Sequence, residues 1–323
     1  MDNIRKFIAR VHAFGLKVPI LQALTSITRR MNLPIQHCLR KMVRYNLNLY
    51  IENNYREILS KEYKNECKDI IDKDYPIWIF WEQGIEQAPE VVKICVNSII
   101  EHNPERKVNI ISRDNLEDYI ELPDYIVEKH KCGKISYAHF SDIVRFALLY
   151  TWGGVWMDAT LYQSGPLNFG SHKIEDYTLF TSKGSYANLG CLFTSFFIAC
   201  NRGNALACWM RDFYFRYWEK EDEIIDYLLI DVALMAGYDN IAEIREQVDL
   251  IPMVDTNENM YRLFYIYRNQ KYDDDIFSQL TRTFPLHKFS YKFNLVKKID
   301  GKLTFYGMIY NRYISKQEMD NDL

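Results

Sequence analysis

The side chains best suited to chemistry lie in two short motifs within residues 141–160. The first is Ser141-Asp142-x-x-Arg145, and the second is Asp158-Ala159-Thr160, which follows an apolar run. A carboxylate with a second oxygen two residues on suits a hard divalent cation, because such ions take oxygen ligands and keep positions open for phosphates. Arg145 can grip a phosphate with two parallel donors, and Asp142 can accept from a ribose hydroxyl. The ordinary alternatives are a surface ion pair for the first motif and a turn residue for Asp158.

A helix is needed to carry the first motif. Ser136 can cap this helix, and apolar residues recur on one face at helical spacing, namely Phe140, Ile143, Val144, Ala147 and Leu148. His139, Asp142 and Arg145 then share another face. The pair Gly153-Gly154 ends the helix.

A strand is needed to carry the second motif. If residues 155–160 are extended, alternation places Trp156, Asp158 and Thr160 on one side. Upstream, the apolar run Ile77–Trp81 predicts a buried strand, Pro89 starts a helix, and residues 108–111 form a second strand. The β-α-β order predicts an α/β fold whose domain spans residues 75–323, after a helical, basic extension at residues 1–74.

Charge is concentrated at the start of the chain. The first fifty residues hold nine basic residues against Asp2 alone, a net charge of +8, whereas the whole chain carries −3. Between Ile4 and Phe14, apolar residues recur at helical spacing with basic residues between them, which is typical of a helix on an anionic membrane. The alternative is a helix packed on the body with its charges solvated. Because no nucleic-acid-binding motif accompanies the basic residues, we expect no nucleic-acid partner.

The composition excludes several classes of protein. With 323 residues, 48% of them hydrophobic, the chain is predicted to be globular, and no window approaches the roughly 18–20 apolar residues of a membrane span. Since no small-residue cleavage site follows the N-terminal apolar stretch, we expect a cytoplasmic protein. The seven cysteines form no C-x-x-C pair and are predicted to be reduced core residues, at positions 38, 67, 95, 132, 191, 200 and 208.

Together, the two motifs resemble a known family. Ser141-Asp142-x-x-Arg145 followed by Gly153-Gly154-Val155-Trp156-Met157-Asp158-Ala159-Thr160 is similar to the S-D-x-x-R and G-G-x-[YW]-x-D-x-[DT] motifs of the DXD sugar-binding glycosyltransferases. That group includes the bacterial capsular polysaccharide synthesis proteins, glycosyltransferase family 32 and, more distantly, the glucosylating clostridial toxins. The resemblance is specific over residues 136–160, with supporting matches across about residues 75–295.

The resemblance implies a GT-A fold, with a Rossmann-like sheet that binds a nucleotide-sugar, and transfer with retention of the anomeric configuration. Mn²⁺ or Mg²⁺ would bridge the diphosphate. Asp142 and Arg145 would contact the nucleotide and donor sugar, Trp156 would shape that pocket, and Asp158 would ligate or orient the metal. Thr160 departs from the second carboxylate of the D-x-D pattern, which puts the metal ligand set in doubt.

Other segments also resemble the capsular group. Trp81, at the end of the first strand, would stack on the base, with a core role as the alternative. The segment Asp226 to Asp231 resembles D-Y-x-L-x-[DH], which implies that Asp226 and Asp231 are catalytic residues together with Asp158. Asp226 would accept from donor-sugar or acceptor hydroxyls; the alternative is that both acids only cap or decorate a helix. The segment 285–292 resembles H-K-x-[ST]-x-K. There His287 would complete a metal site, and Lys288 and Lys292 would neutralise a leaving diphosphate, unless the segment is only a basic surface turn.

The sequence therefore predicts a membrane-associated glycosyltransferase that moves a sugar, from a UDP-sugar in our preferred version, to a polysaccharide or lipid-linked oligosaccharide. One alternative is a transferase acting on protein or lipooligosaccharide. Another is a non-catalytic nucleotide-sugar-binding subunit of a capsule assembly complex.

Overall fold

The computed structural model describes residues 2–66, 70–184, 193–255 and 258–315. Two compact units are formed, each from three segments of the chain. The first unit comprises Met1–Asn65, Leu122–Ala147 and Ala205–Val248, and the second comprises Glu66–Glu121, Leu148–Asn204 and Asp249–Leu323. Residues 1–65 thus group with two later segments. The domain boundary predicted at residue 75 stays a prediction.

The α-helices of the described residues are α1 Asp2–Phe14, α2 Lys17–Arg30, α3 Gln36–Asn54, α4 Arg56–Leu59, α5 Glu90–His102, α6 Asp124–Lys131, α7 Tyr137–Trp152, α8 Ala205–Lys220, α9 Leu229–Asn240, α10 Ala242–Leu250, α11 Asn259–Arg262, α12 Asp274–Thr283 and α13 Phe305–Tyr310. Two π-helical turns follow α11 and α13, at Leu263–Tyr267 and Asn311–Ser315. In the described part of the chain, no helix has both the length and the apolar character to cross a membrane.

The strands of the described residues are β1 Ile77–Phe80, β2 Val108–Ile111, β3 Gly154–Met157, β4 Leu161–Gln163, β5 Leu179–Thr181, β6 Lys183–Gly184, β7 Phe197–Cys200, β8 Met253–Asp255, β9 Leu286–Lys288, β10 Lys298–Ile299 and β11 Lys302–Leu303. The main sheet has the order β2-β1-β3-β7-β5. β1 pairs in parallel with β2 and β3, whereas β7 runs antiparallel to β3 and β5. Smaller pairs join β4 with β9, β6 with β8 and β10 with β11.

The first unit is helical. α2 packs against α1 and α3, α3 packs against α9, and α8 packs against both α6 and α9. Aromatic side chains fill its interior: Tyr55 lies edge-on to Phe213 at 5.5 Å between ring centroids and stacks on Tyr217 at 5.9 Å. These rings bury large apolar areas and hold α8 against the N-terminal helices.

The second unit contains the main sheet. The crossover from β1 to β2 runs through α5, whose Val92, Ile94 and Cys95 are fully buried. All four residues of β1, and of β3, are buried, as expected for central strands of a parallel sheet. The predicted α/β class is confirmed, with a mixed sheet in which β2, β1 and β3 run parallel, as expected for the Rossmann-like part of the predicted GT-A domain.

Several local predictions are confirmed at the level of single residues. β2 has the predicted bounds, α5 follows Pro89, and α7 begins directly after Ser136. The five apolar residues predicted to form the buried face of α7 are all buried.

The cysteine prediction is only partly correct. Cys95 and Cys200 are buried, but Cys38 and Cys132 are exposed and Cys208 is intermediate. Cys67 and Cys191 lie outside the described residues. The exposed pair is at a helix start and a helix end, where apolar sequence neighbours do not guarantee burial.

Candidate active site

In the second unit, the glycine pair before β3 is required by close packing. Gly153 and Gly154 have φ angles of +66° and +95°, which L side chains rarely adopt. A Cβ on Gly154 would lie 2.4 Å from the Pro76 carbonyl oxygen, and one on Gly153 would lie 2.5 Å from the Arg202 backbone nitrogen. Trp78 donates from its indole nitrogen to the Gly153 carbonyl at 2.8 Å. The pair therefore lets the chain pass from α7 into the centre of the sheet, where β3 lies beside β1.

The D-A-T motif forms a turn at the end of β3. The Leu161 backbone N–H donates to the Asp158 carbonyl at 2.8 Å, and the Asp158 N–H donates to the Phe196 carbonyl at 2.9 Å. The prediction that residues 155–160 are extended is therefore wrong beyond Met157, and alternation does not place Thr160 beside Asp158. Trp156 and Asp158 do meet, because the indole N–H of Trp156 donates to Asp158 Oδ1 at 2.8 Å.

The C-terminal basic segment reaches the same turn. β9 pairs antiparallel with β4, opposing Lys288 to Leu161, and the Phe289 N–H donates to the Thr160 carbonyl at 2.8 Å. The ammonium of Lys288 contacts Asp158 Oδ2 at 2.6 Å and lies 4.6 Å from the centre of the Phe196 ring. The structure thus brings together Trp156, Asp158 and Lys288, three of the residues predicted from sequence. Lys292 is exposed.

His287 has different surroundings from Lys288. Successive residues of a strand point to opposite faces, and the His287 side chain is fully buried, with Nε2 3.0 Å from the Ser164 hydroxyl. Burial lowers the pKa of His287 to about 3, so the imidazole is neutral. Among the described residues, His287 is therefore a neutral core residue beneath the turn.

The contacts of Asp158 decide whether the site can hold a divalent cation. Both oxygens of Asp158 accept hydrogen bonds from protein donors, Trp156 and Lys288. Among the described residues, no three His, Cys, Asp or Glu side chains lie close enough together to hold a metal ion. An ammonium held on the carboxylate opposes a cation there by like charge. The donor set of the described residues therefore does not fit Mn²⁺ or Mg²⁺.

Trp81 lies partly exposed just beyond β1, beside the same C-terminal segment. Its ring meets the exposed ring of Tyr291 edge-on, with 5.6 Å between the centroids. The next residue, Glu82, is buried and accepts from the guanidinium of Arg113, which follows β2. Trp81 is thus only partly in the core and presents an aromatic surface at the carboxyl end of β1.

The first unit holds a second cluster, on α7. Arg145 Nη1 lies 3.0 Å from Asp142 Oδ1, and His139 Nδ1 lies 3.7 Å from Asp142 Oδ2. His139 and Arg145 are 5% and 4% exposed, so the alternative of a surface ion pair is wrong. Because the pair is largely withdrawn from water, removal of either partner would leave an uncompensated charge.

Asp226 and Asp231 have different neighbours in the first unit. Asp231, in the first turn of α9, lies close enough to Tyr214 to raise the pKa of that phenol, as does Asp142, although burial is the largest cause. The Tyr214 hydroxyl lies 3.4 Å from Asp142 Oδ2. Asp226 instead accepts from the side chain of Gln22 in α2 and from the Leu228 N–H. Asp231 thus belongs with the α7 cluster, whereas Asp226 joins α2 to the segment before α9.

Sequence reasoning missed several neighbours of these clusters. Tyr214 was hidden among the other buried rings of an aromatic helix, Phe196 belongs to no motif, and Tyr291 fills an unspecified position of the 285–292 motif. The ion pair between the buried Glu82 and the exposed Arg113 was also missed, although each is the second residue after a strand of the sheet.

The fold and these contacts define an α/β protein with a charged cluster where its central parallel strands end. A family model described as "Capsular polysaccharide synthesis protein" matches residues 29–309. The chain belongs to that family.

Individual relatives share shorter regions with the chain. The O-glycosyltransferase braB of Annulohypoxylon truncatum is 26% identical over an alignment of 98 residues, which covers 28% of this chain and 23% of the relative. The glycosyltransferase afumC of Aspergillus fumigatus is 27% identical over an alignment of 173 residues, which covers 47% of this chain and 43% of the relative. The chain thus spans less than half the length of each of these relatives. Among solved structures, the PaToxG glycosyltransferase is similar with a TM-score of 0.39 and 18% identity, over 65% of this chain and 83% of that one.

Proposed function

We propose that this protein is a glycosyltransferase that takes a sugar from a nucleotide-sugar and transfers it to a hydroxyl of a polysaccharide or lipid-linked oligosaccharide. Membership of the capsular family supports this proposal, as do the glycosyltransferase names of the two curated relatives. The observation that carries it is the contact of Asp158 with Lys288 at the end of β3. Ligands of open α/β sheets bind outside the carboxyl ends of the strands.

Lys288 gives this site its chemical role. When the bond between the anomeric carbon and the diphosphate breaks, negative charge accumulates on the leaving diphosphate while the acceptor oxygen bonds the same carbon. The hydroxyl proton leaves to the diphosphate or to water. A preorganised cation at that point stabilises the transition state more than the ground state. Lys288 supplies such a cation, and Asp158 and the Phe196 ring fix its position.

Arg145 and Asp142 have a separate proposed role in binding the donor. Arg145 would contact a phosphate and Asp142 a sugar or ribose hydroxyl, because a guanidinium forms paired hydrogen bonds to phosphate oxygens. The burial of Arg145 and Tyr214, with Asp142 and Asp231 close to the Tyr214 phenol, supports a preorganised cluster. UDP as the nucleotide, retention of configuration, metal dependence and cytoplasmic location stay predictions of the sequence.

A panel of nucleotide-sugars tests the proposal. Purified protein is incubated with each donor, with and without Mn²⁺, and release of the nucleoside diphosphate is measured. A transferase should hydrolyse its own donor slowly in the absence of acceptor. A donor that binds, as shown by a thermal shift, but is never cleaved with any acceptor fraction would favour the non-catalytic nucleotide-sugar-binding subunit. Cleavage only with protein or lipooligosaccharide acceptors would favour the other alternative.

A further inference from the structure

The N-terminal helices of the first unit expose apolar side chains in regular rows. In α1, Ile4, Phe7 and Ile8 follow at spacings of three and one, so they lie on one face of the helix. Along α2 and the residue at each of its ends, the exposed apolar residues follow at spacings of four and three: Leu16, Ile20, Leu24, Ile27 and Met31. From the start of α3 they are Ile35, Met42 and Tyr45. Each row has helical periodicity, and we call the three rows the apolar stripes.

The stripes are not the faces with which these helices pack. In α2 the buried residues are Val18, Pro19 and Leu21, whereas Leu16 and Met31, which flank the helix, are each 63% exposed. α2 packs against both α1 and α3, so the three stripes belong to neighbouring helices of one unit. Monomeric proteins rarely expose large contiguous apolar areas, and such areas mark an interaction surface.

Basic residues accompany the stripes. Exposed lysines and arginines in these helices are Arg5, Lys6, Lys17, Arg29, Arg30 and Lys41. Residues 1–50 carry a net charge of +8. A second copy of the chain on this face would bring two such positive segments together, which like-charge repulsion opposes. An anionic surface, in contrast, attracts them.

We propose that the apolar stripes and the exposed basic residues of α1, α2 and α3 form a docking surface for an anionic lipid bilayer. The apolar side chains enter the boundary between headgroups and acyl chains, and the basic side chains contact the lipid phosphates. The helices lie in the interface and do not span it. This inference does not rest on the proposed transferase activity, because it uses none of the residues of either charged cluster.

Co-sedimentation of the full chain with vesicles tests the surface. Wild-type protein should bind vesicles of 70% phosphatidylcholine and 30% phosphatidylglycerol at least about tenfold more tightly than pure phosphatidylcholine, and binding should weaken with salt. The double variant Ile20→Glu and Leu24→Glu should lose about tenfold or more in affinity for anionic vesicles. The matched control, Leu250→Glu with Ile266→Glu, adds the same charge at exposed apolar residues outside these helices, and it should bind as the wild type does.

A second pair of variants tests the charges. Arg29→Gln with Arg30→Gln should weaken binding to anionic vesicles about tenfold and reduce its salt dependence, since each basic residue near the surface contributes to binding. The substituted side chains are exposed, so the melting temperature should not change.

Two results would overturn the inference. One is equal binding of the wild type and the stripe variant to anionic vesicles, or no binding by either. The other is sedimentation of the lipid-free wild type as a dimer that the stripe variant converts to a monomer, with no vesicle binding, which would assign the surface to a second copy. Donor hydrolysis in solution should be the same for the wild type and the stripe variant, so a failure of this inference is distinguishable from a failure of the proposed function.

Discussion

The ammonium of Lys288 lies 2.6 Å from Asp158 Oδ2, although 130 residues separate the two in the sequence. The pairing of β4 with β9 brings them together, and the hydrogen bond from Phe289 to the Thr160 carbonyl fixes the turn against β9. The carboxylate that the D-x-D resemblance assigns to a metal ion therefore already has a cation of the protein beside it. This relationship makes Lys288 the residue on which the proposed chemistry depends most.

Replacement of Lys288 by Met tests its role directly. Methionine has a similar length but no charge, so we expect donor cleavage to fall by about a hundredfold or more while the fold is retained. Lys288→Arg keeps the charge and should recover part of the activity. Lys302→Met removes an exposed lysine of the same unit and serves as the control. Donor cleavage by Lys288→Met at the wild-type rate would contradict the proposed role.

Chelation with EDTA distinguishes Lys288 from a bound metal ion as the source of positive charge at the leaving diphosphate. If Lys288 neutralises the leaving diphosphate, wild-type activity should persist in excess EDTA, and added Mn²⁺ should not rescue Lys288→Met. Activity that disappears in EDTA and returns with Mn²⁺ would establish the metal dependence implied by the resemblance. Release of the nucleoside diphosphate is measured against Mn²⁺ concentration for the wild type and Lys288→Met.

The Trp156 indole is expected to orient Asp158. Trp156→Phe keeps an aromatic ring in a site that is 1% exposed but removes the N–H that donates to Asp158 Oδ1. We expect a loss of stability of about 1–2 kcal/mol, because a charged acceptor loses a hydrogen bond, and a lower rate of donor cleavage. Urea unfolding and the cleavage assay measure the two effects. Unchanged cleavage would show that Asp158 does not need the indole.

Local structure was predictable where the sequence is periodic, and contacts across the chain were not. The apolar positions of α7 and the β-α-β order follow from spacing, because an amphipathic helix and a buried strand each need a particular period. The turn at Thr160 was missed because a run of apolar residues does not show where a strand ends. No local pattern indicates that Asp231 lies near Tyr214 while Asp226 contacts Gln22.

Substitutions of Arg145 distinguish donor binding from stability. Arg145→Lys keeps the charge beside Asp142 but lacks the planar pair of donors, so donor affinity should fall about tenfold while the free energy of unfolding changes little. Arg145→Met leaves the Asp142 carboxylate without this partner and should cost about 3 kcal/mol of stability. Thermal shift with donor and urea unfolding measure the two properties. Arg282→Lys, at an exposed position on α12, is the matched control.

The glycine pair is expected to be intolerant of any side chain. At Gly154 an added Cβ would meet the Pro76 backbone at 2.4 Å, and the positive φ adds strain. Gly154→Ala should therefore destabilise the protein by about 3 kcal/mol or more, or prevent folding. Gly165→Ala is the control, since no atom lies within 4 Å of its added Cβ, and its effect should stay within about 0.5 kcal/mol. Equal unfolding midpoints for the two variants would contradict this account.

The buried imidazole of His287 should make stability depend on pH in acid. Burial lowers its pKa from 6.5 to about 3 in the folded protein. Between these two values the unfolded chain binds one proton more than the folded chain, so the free energy of unfolding decreases as the pH falls, by about 1.4 kcal/mol per pH unit from this residue. The contribution is complete above pH 6.5, and the decline from this residue ends near pH 3.

Urea unfolding of the wild type and His287→Gln between pH 7 and pH 4 measures this effect. Other groups titrate in both proteins, so the difference between the two curves isolates His287, and the wild type should lose stability more steeply below pH 6. Ser164→Ala removes the hydroxyl that contacts Nε2 but leaves the ring buried, and it should keep the steep wild-type slope. Parallel curves for the wild type and His287→Gln would show that this histidine binds protons equally in the folded and unfolded states. That result would contradict the conclusion that a buried, neutral His287 has no charged role at the turn.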